Sequence, residues 1–95
     1  MAEIFEVIWG KRVQKQLDEV PPQISRKFFA WVTAVNLAGL REVRRTPGFH
    51  DEPLRGHRTG QRSVRLNRAW RAIYVERNDL EVELIKVIEV NQHEY

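Results

Sequence analysis

The 95-residue sequence contains no cysteine. That excludes a disulfide framework and any thiolate metal site, and it suits a reducing compartment. The three histidines, His50, His57 and His93, lack the paired spacing and the carboxylate pattern of a typical zinc site, so no metal or other cofactor is expected. No apolar run approaches the roughly 20 residues that a membrane span requires. Met1-Ala2-Glu3-Ile4 also lacks the basic end and apolar run of a signal peptide. A cytoplasmic protein without membrane association is the expectation. With 42% hydrophobic and 31% charged residues, the chain reads as a single domain, residues 1–95, with a small core.

Acidic residues are scarce where basic ones gather. From Glu52 to Arg71 the sequence carries six arginines (Arg55, Arg58, Arg62, Arg65, Arg68 and Arg71) and His57, with no carboxylate after Glu52 itself. The net charge is only +3, yet residues 41–71 hold nine arginines against three acids, and residues 72–95 hold two basic residues against six acidic ones. Such crowding of like charge is unfavourable unless an anion resolves it, and phosphate is the simplest such anion. Val64, Leu66, Ala69 and Trp70 are interleaved with the arginines, so the stretch is woven into a core and is no disordered basic tail. A rigid, arginine-lined surface for a nucleic-acid backbone is expected.

In chain order, Ile4 to Trp9 is rich in β-branched and aromatic residues and predicts a strand ending at Gly10. Lys11 to Val20 places Val13, Leu17 and Val20 at helical spacing, and Pro21-Pro22 ends that helix. Ile24, Phe28, Trp31 and Val35 then follow at steps of four, three and four, which predicts a second helix covering a sheet. Gly39 interrupts it, Leu40 to Arg45 adds a further turn, and Thr46 to Phe49 is turn chemistry. A loop is expected from there to about residue 60, a length that in compact domains tends to be functional. Arg62 to Leu66 and Trp70 to Glu76 alternate as a hairpin about Asn67-Arg68, and Glu81 to Val90 predicts a third strand buried on both faces. A two-residue turn would set Arg65 opposite Trp70 and Arg71 opposite Val64, on different faces; a register one residue away reverses this. The sequence ends on His93 and Tyr95, an imidazole suited to proton exchange and a phenol suited to stacking on a base.

Thr46-Pro47, Glu52-Pro53-Leu54-Arg55, Gly60 to Arg65, Trp70 to Tyr74, His93 and Tyr95 together resemble the RelE/ParE superfamily of toxins from bacterial toxin-antitoxin modules. The closer likeness is to its mRNA-cleaving RelE, HigB and YoeB members. It is clear over residues 46–95 and weaker before them. The resemblance implies an α+β fold with an N-terminal strand and two helices packed on a twisted, mainly antiparallel sheet. It also implies ribosome-dependent cleavage of mRNA in the A site, a cognate antitoxin as partner, and contact with DNA only through that antitoxin.

Carried over by position, Glu52 would take the proton of a ribose 2'-hydroxyl, and Arg55 matches a basic position of the family. Arg65 and Arg71 would hold the scissile phosphate, His93 would protonate the leaving 5'-oxygen, and Tyr95 would orient the nucleotide. Glu94 separates His93 from Tyr95 here, whereas the family's pattern has them adjacent. His57, Arg58, Arg62 and Arg68 are expected to contact RNA. Two alternatives stand beside this reading. ParE-like toxins of the same fold bind DNA gyrase, and a plain RNA-binding module would use the same arginines without chemistry.

Overall fold

A computed structural model describes residues 3–77 and 81–89, the last five of these through their backbone alone. Strand β1 (Glu6–Trp9) leads into helix α1 (Lys11–Glu19), whose Val13 and Leu17 are buried, as their spacing predicts. Helix α2 (Pro22–Ala38) begins with Pro22 in its first turn, where the missing N–H costs nothing. Its stripe of Ile24, Phe28, Trp31 and Val35 is completely buried. At about 1.5–3 kcal/mol for each large apolar side chain removed from water, that stripe is a principal stabiliser of the domain. Trp9 continues the packing edge to face on Phe28, ring centroids 5.2 Å apart, and Phe28 lies tilted against Trp31 at 6.1 Å.

Gly39 ends α2 at φ +89° and starts the short helix α3 (Leu40–Arg44). Both its backbone angle and its surroundings require glycine, because a Cβ there would meet the Glu3 side chain. Glu3 in turn accepts from the backbone N–H groups of Ile4 at 2.9 Å and Arg41 at 3.1 Å. These bonds, the Ile4 one foremost, hold its carboxyl below the usual range. The Leu40 N–H donates to Ile4 C=O at 2.8 Å, so the segment before β1 is tied to the α2–α3 corner.

The segment expected as one long loop is more structured than that. A 3-10 turn at Pro47–Phe49, strand β2 (Glu52–Pro53) and a second 3-10 turn at Gly56–Arg58 divide it. Strands β3 (Arg62–Arg65), β4 (Trp70–Glu76) and β5 (Glu81–Glu89) follow. The five strands form one sheet in the order β1-β5-β4-β3-β2, parallel only between β1 and β5. It is therefore a mainly antiparallel sheet, and the fold is α+β as expected. Val64, Leu66, Ala72, Tyr74, Val82 and Leu84 from the sheet share one core with the buried faces of α1, α2 and α3.

The β3–β4 hairpin differs from a two-residue turn in a way that matters for the site. Asn67 Oδ1 accepts from the backbone N–H groups of Ala69 at 2.8 Å and Trp70 at 2.9 Å, and the Leu66 N–H reaches Trp70 C=O at 2.9 Å. This side-chain-stabilised turn takes in one more residue than Asn67-Arg68. The register shifts accordingly. Arg65 pairs with Arg71 and Val64 with Ala72.

Candidate active site on the open face of the sheet

Alternation along each strand sorts the side chains into two sets. Arg62 and Val64 on β3 pair with Tyr74 and Ala72 on β4, and Val64, Ala72 and Tyr74 all belong to the helix-side core. Ser63 and Arg65 therefore project from the other face, with their partners Ile73 and Arg71. Glu52 pairs with Ser63 across β2 and β3 and joins the same face. The structure thus brings Glu52, Arg65 and Arg71 together on one surface, where a two-residue turn would have separated the arginines.

Arg71 Nη1 lies 3.0 Å from Ser63 Oγ, to which it donates, and 3.3 Å from Glu52 Oε1. Its side chain is only 12% exposed, while that of Glu52 is 48% exposed. Ser63 and Ile73 beneath them are fully buried. The guanidinium is consequently held at a fixed place, and the carboxylate beside it remains open to a ligand. Arg65, half-buried opposite, makes no ion pair or side-chain hydrogen bond with another described residue. Like charges directly across a ladder repel. An ion pair with one half-exposed partner adds only about 0–1 kcal/mol, so stability gives little reason for this gathering of charge. An anionic ligand placed between the two guanidinium groups gives a better one.

Of the other candidates, Arg55, His57 and Arg68 are exposed. Arg58 is half-buried and donates from Nη1 to Gln61 Oε1 at 3.1 Å. Arg62 stands apart from this group. It lies on the helix-side parity of β3, and its Nε–H donates to Asp51 Oδ1 at 2.7 Å. His93 and Tyr95 fall outside the described residues. Among the described residues there is no cluster of three or more histidines and carboxylates that could hold a metal ion, and no helix is long and apolar enough to cross a membrane.

Two residues that shape this site carry little signal in the sequence. Ser63 is a small polar residue between arginines, and its only signal is that it shares a parity with Arg65. Asp51 precedes Glu52 and reads as a loop carboxylate, yet its side chain is fully buried. Asp51 Oδ2 accepts from the Tyr74 hydroxyl at 2.6 Å, and the Tyr74 oxygen accepts from Arg44 Nε–H at 3.3 Å. Arg44 Nη2 also donates to Glu76 Oε2 at 2.7 Å. Burial, and next the neighbouring Asp51 charge, push the Tyr74 phenol well above its ordinary range, so it stays a neutral donor. Burial disfavours the Arg44 cation, but its bonds to Glu76 and Tyr74 outweigh that and keep it protonated.

Compared with known proteins, the sequence matches no family model and no curated protein. Solved structures are similar over nearly the whole chain. A chain of the archaeal RelE–RelB complex from Pyrococcus horikoshii OT3 superposes with a TM-score of 0.71 at 24% identity, covering 93% of this chain and 97% of that one. YafQ from E. coli strain BL21(DE3) gives 0.69 at 15% identity, covering 88% and 91%. A YoeB/ParE toxin from Agrobacterium tumefaciens gives 0.62 at 18% identity, covering 90% and 99%. The arrangement of helices and sheet is that of these toxin structures.

Proposed function

We propose that this chain, which has the RelE-like toxin fold, is the toxin of a toxin-antitoxin pair and an endoribonuclease that cleaves mRNA on the ribosome. The observation that carries the reading is the set of Glu52, Arg65 and Arg71 on one face of a rigid sheet. A carboxylate that can accept a proton stands there beside guanidinium groups that can hold a phosphate.

That set suits metal-independent cleavage of RNA. The ribose 2'-oxygen attacks the adjacent phosphorus and gives up its proton to Glu52, a 2',3'-cyclic phosphate forms, and the 5'-oxygen departs with a proton. Arg65 and Arg71 stabilise the charge that builds on the phosphoryl oxygens, which is usually the largest contribution in such chemistry. Glu52 as general base accounts for about 100-fold to 10,000-fold. His93 as the acid at the 5'-oxygen, Tyr95 as the stacking face and Arg55 as a further cation at the phosphate complete the scheme by resemblance. Arg58, Arg68 and His57 would offer positive charge to an RNA backbone extending from the site. Arg62, held by Asp51, serves the fold in this reading and does not contact RNA. DNA lacks the 2'-hydroxyl and is immune to this route.

The partner of the same face is a cognate antitoxin, in keeping with the RelE–RelB complex among the similar structures. An acidic segment laid over Arg55, Arg65 and Arg71 would block substrate directly and be steered there by charge. Hydrogen exchange that leaves these arginines unprotected in the complex would contradict that placement.

A YoeB/ParE toxin is also among the similar structures, so a gyrase-directed toxin is the second reading. Pulse labelling after induction separates the two. The nuclease reading requires amino-acid incorporation to fall first; thymidine incorporation falling first, with DNA breaks, would establish the gyrase reading instead.

A further inference from the structure

Glu52 stands on the weakest strand of the sheet. β2 has two residues, lies at the edge, and includes Pro53, which has no N–H to give to a ladder. Immediately before it the chain turns through His50 at φ +48° and ψ +49°, a left-handed conformation that a non-glycine residue holds only when its neighbours enforce it. Left to its ladder alone, this segment could rotate and carry the Glu52 carboxylate away from Arg71.

Asp51 supplies what the ladder lacks. Consecutive residues of an extended chain point to opposite faces, and Asp51 points into the helix side while Glu52 points to the open one. Both oxygens of its fully buried carboxylate are engaged, Oδ1 by Arg62 at 2.7 Å and Oδ2 by Tyr74 at 2.6 Å. Tyr74 is itself completely buried, 5.3 Å from the Trp31 ring on α2, and takes a further hydrogen bond from Arg44 on α3. The clamp therefore connects the residue before Glu52 to β3, to β4 and to two helices. A buried carboxylate is costly to keep without such partners, and with them it admits essentially one backbone orientation.

We propose that Asp51, gripped by Arg62 and Tyr74, is a positioning residue that fixes Glu52 on the open face beside Arg71. This rests on the reading of Glu52 as the proton acceptor. Asp51 does not take the proton itself, because both of its oxygens are occupied and it faces away from the arginine pair.

The test is the kinetics of mRNA cleavage on programmed ribosomes by purified Asp51→Asn, Tyr74→Phe, Glu52→Gln and the double variant Asp51→Asn/Glu52→Gln, with thermal unfolding of each. Asn keeps the shape of Asp51 but offers one acceptor where two donors converge. Misplacing a reacting group by about 1 Å can cost about 100-fold, so Asp51→Asn is expected to lower kcat by about 10-fold to 100-fold with KM unchanged. Tyr74→Phe keeps the buried ring and the Arg62 pair, and should lower kcat in the same direction by less. The double variant should be no slower than Glu52→Gln alone. Wild-type kcat in folded Asp51→Asn or folded Tyr74→Phe overturns the proposal, as does a double variant slowed by the product of the two single effects. If Asp51→Asn does not fold, Tyr74→Phe decides. Full activity in Glu52→Gln would overturn the underlying reading of Glu52, a result distinct from the others, and the proposal with it.

Discussion

Arg65 and Arg71 are direct partners across the β3–β4 ladder, so both side chains leave the same face of the sheet. Arg71 is steadied by the Ser63 hydroxyl and by Glu52, while Arg65 has no such support among the described residues. A phosphate between them would relieve their repulsion, and Arg71, already held in place, is preorganised for charge that develops during the reaction.

Arg71→Ala is therefore expected to lower kcat for mRNA cleavage by about 100-fold to 1,000-fold, the loss typical of one such donor, with little change in KM. Arg58→Ala removes a cation outside the central set and should instead weaken association and flatten its dependence on salt. Steady-state kinetics at several salt concentrations measures both. Equal effects of the two variants on KM alone would mean that Arg71 only contributes to binding.

Tyr74 gives a prediction for alkaline solution. Its phenol is raised above the ordinary value of 10.0 in the folded protein, so the folded state keeps the proton when the unfolded chain would release it. The stability that this protonated group contributes is full below that value and is lost as pH rises past it. Urea unfolding between about pH 9 and 11 should show a steeper fall for the wild type than for Tyr74→Phe, which has no proton to lose there. Parallel curves would show that the Tyr74 phenol is not held buried beside Asp51 in solution.

Gly39→Ala tests the corner that carries α3. An alanine at φ +89° occupies a region used almost only by glycine, at a cost of about 1–3 kcal/mol, and its Cβ also meets the Glu3 side chain. A melting temperature lower by about 4–8 °C for each kcal/mol is expected for a domain of this size. Differential scanning calorimetry gives the number, and an unchanged melting temperature would show that the α2–α3 corner is not held in this conformation.

The helices were legible because burial repeats along them. Ile24, Phe28, Trp31 and Val35 announce one face by spacing alone, and every one of them is buried. The strands of the hairpin were legible for the same reason, but not their register, which depends on whether Asn67 closes a turn of two residues or a longer one. That single residue decides whether Arg65 and Arg71 share a face. Glu52 and the arginines could be singled out by charge, since opposite charges near one another in a basic stretch are visible in one dimension. Ser63 and Asp51 could not, because their importance comes from what lies behind them: a guanidinium across the ladder for one, a tyrosine 23 positions later for the other.

The proposed cleavage by Glu52 and the paired arginines runs through attack of the RNA's own 2'-oxygen on the adjacent phosphorus. The most direct measurement is the chemistry of the ends left on a defined mRNA after incubation with programmed ribosomes and either the wild-type chain or Glu52→Gln. A 2',3'-cyclic phosphate is expected on the upstream fragment and a 5'-hydroxyl on the downstream one, with cleavage by Glu52→Gln slower by about 100-fold to 10,000-fold. A 5'-phosphate on the downstream fragment, or undiminished cleavage by Glu52→Gln, would contradict this mechanism.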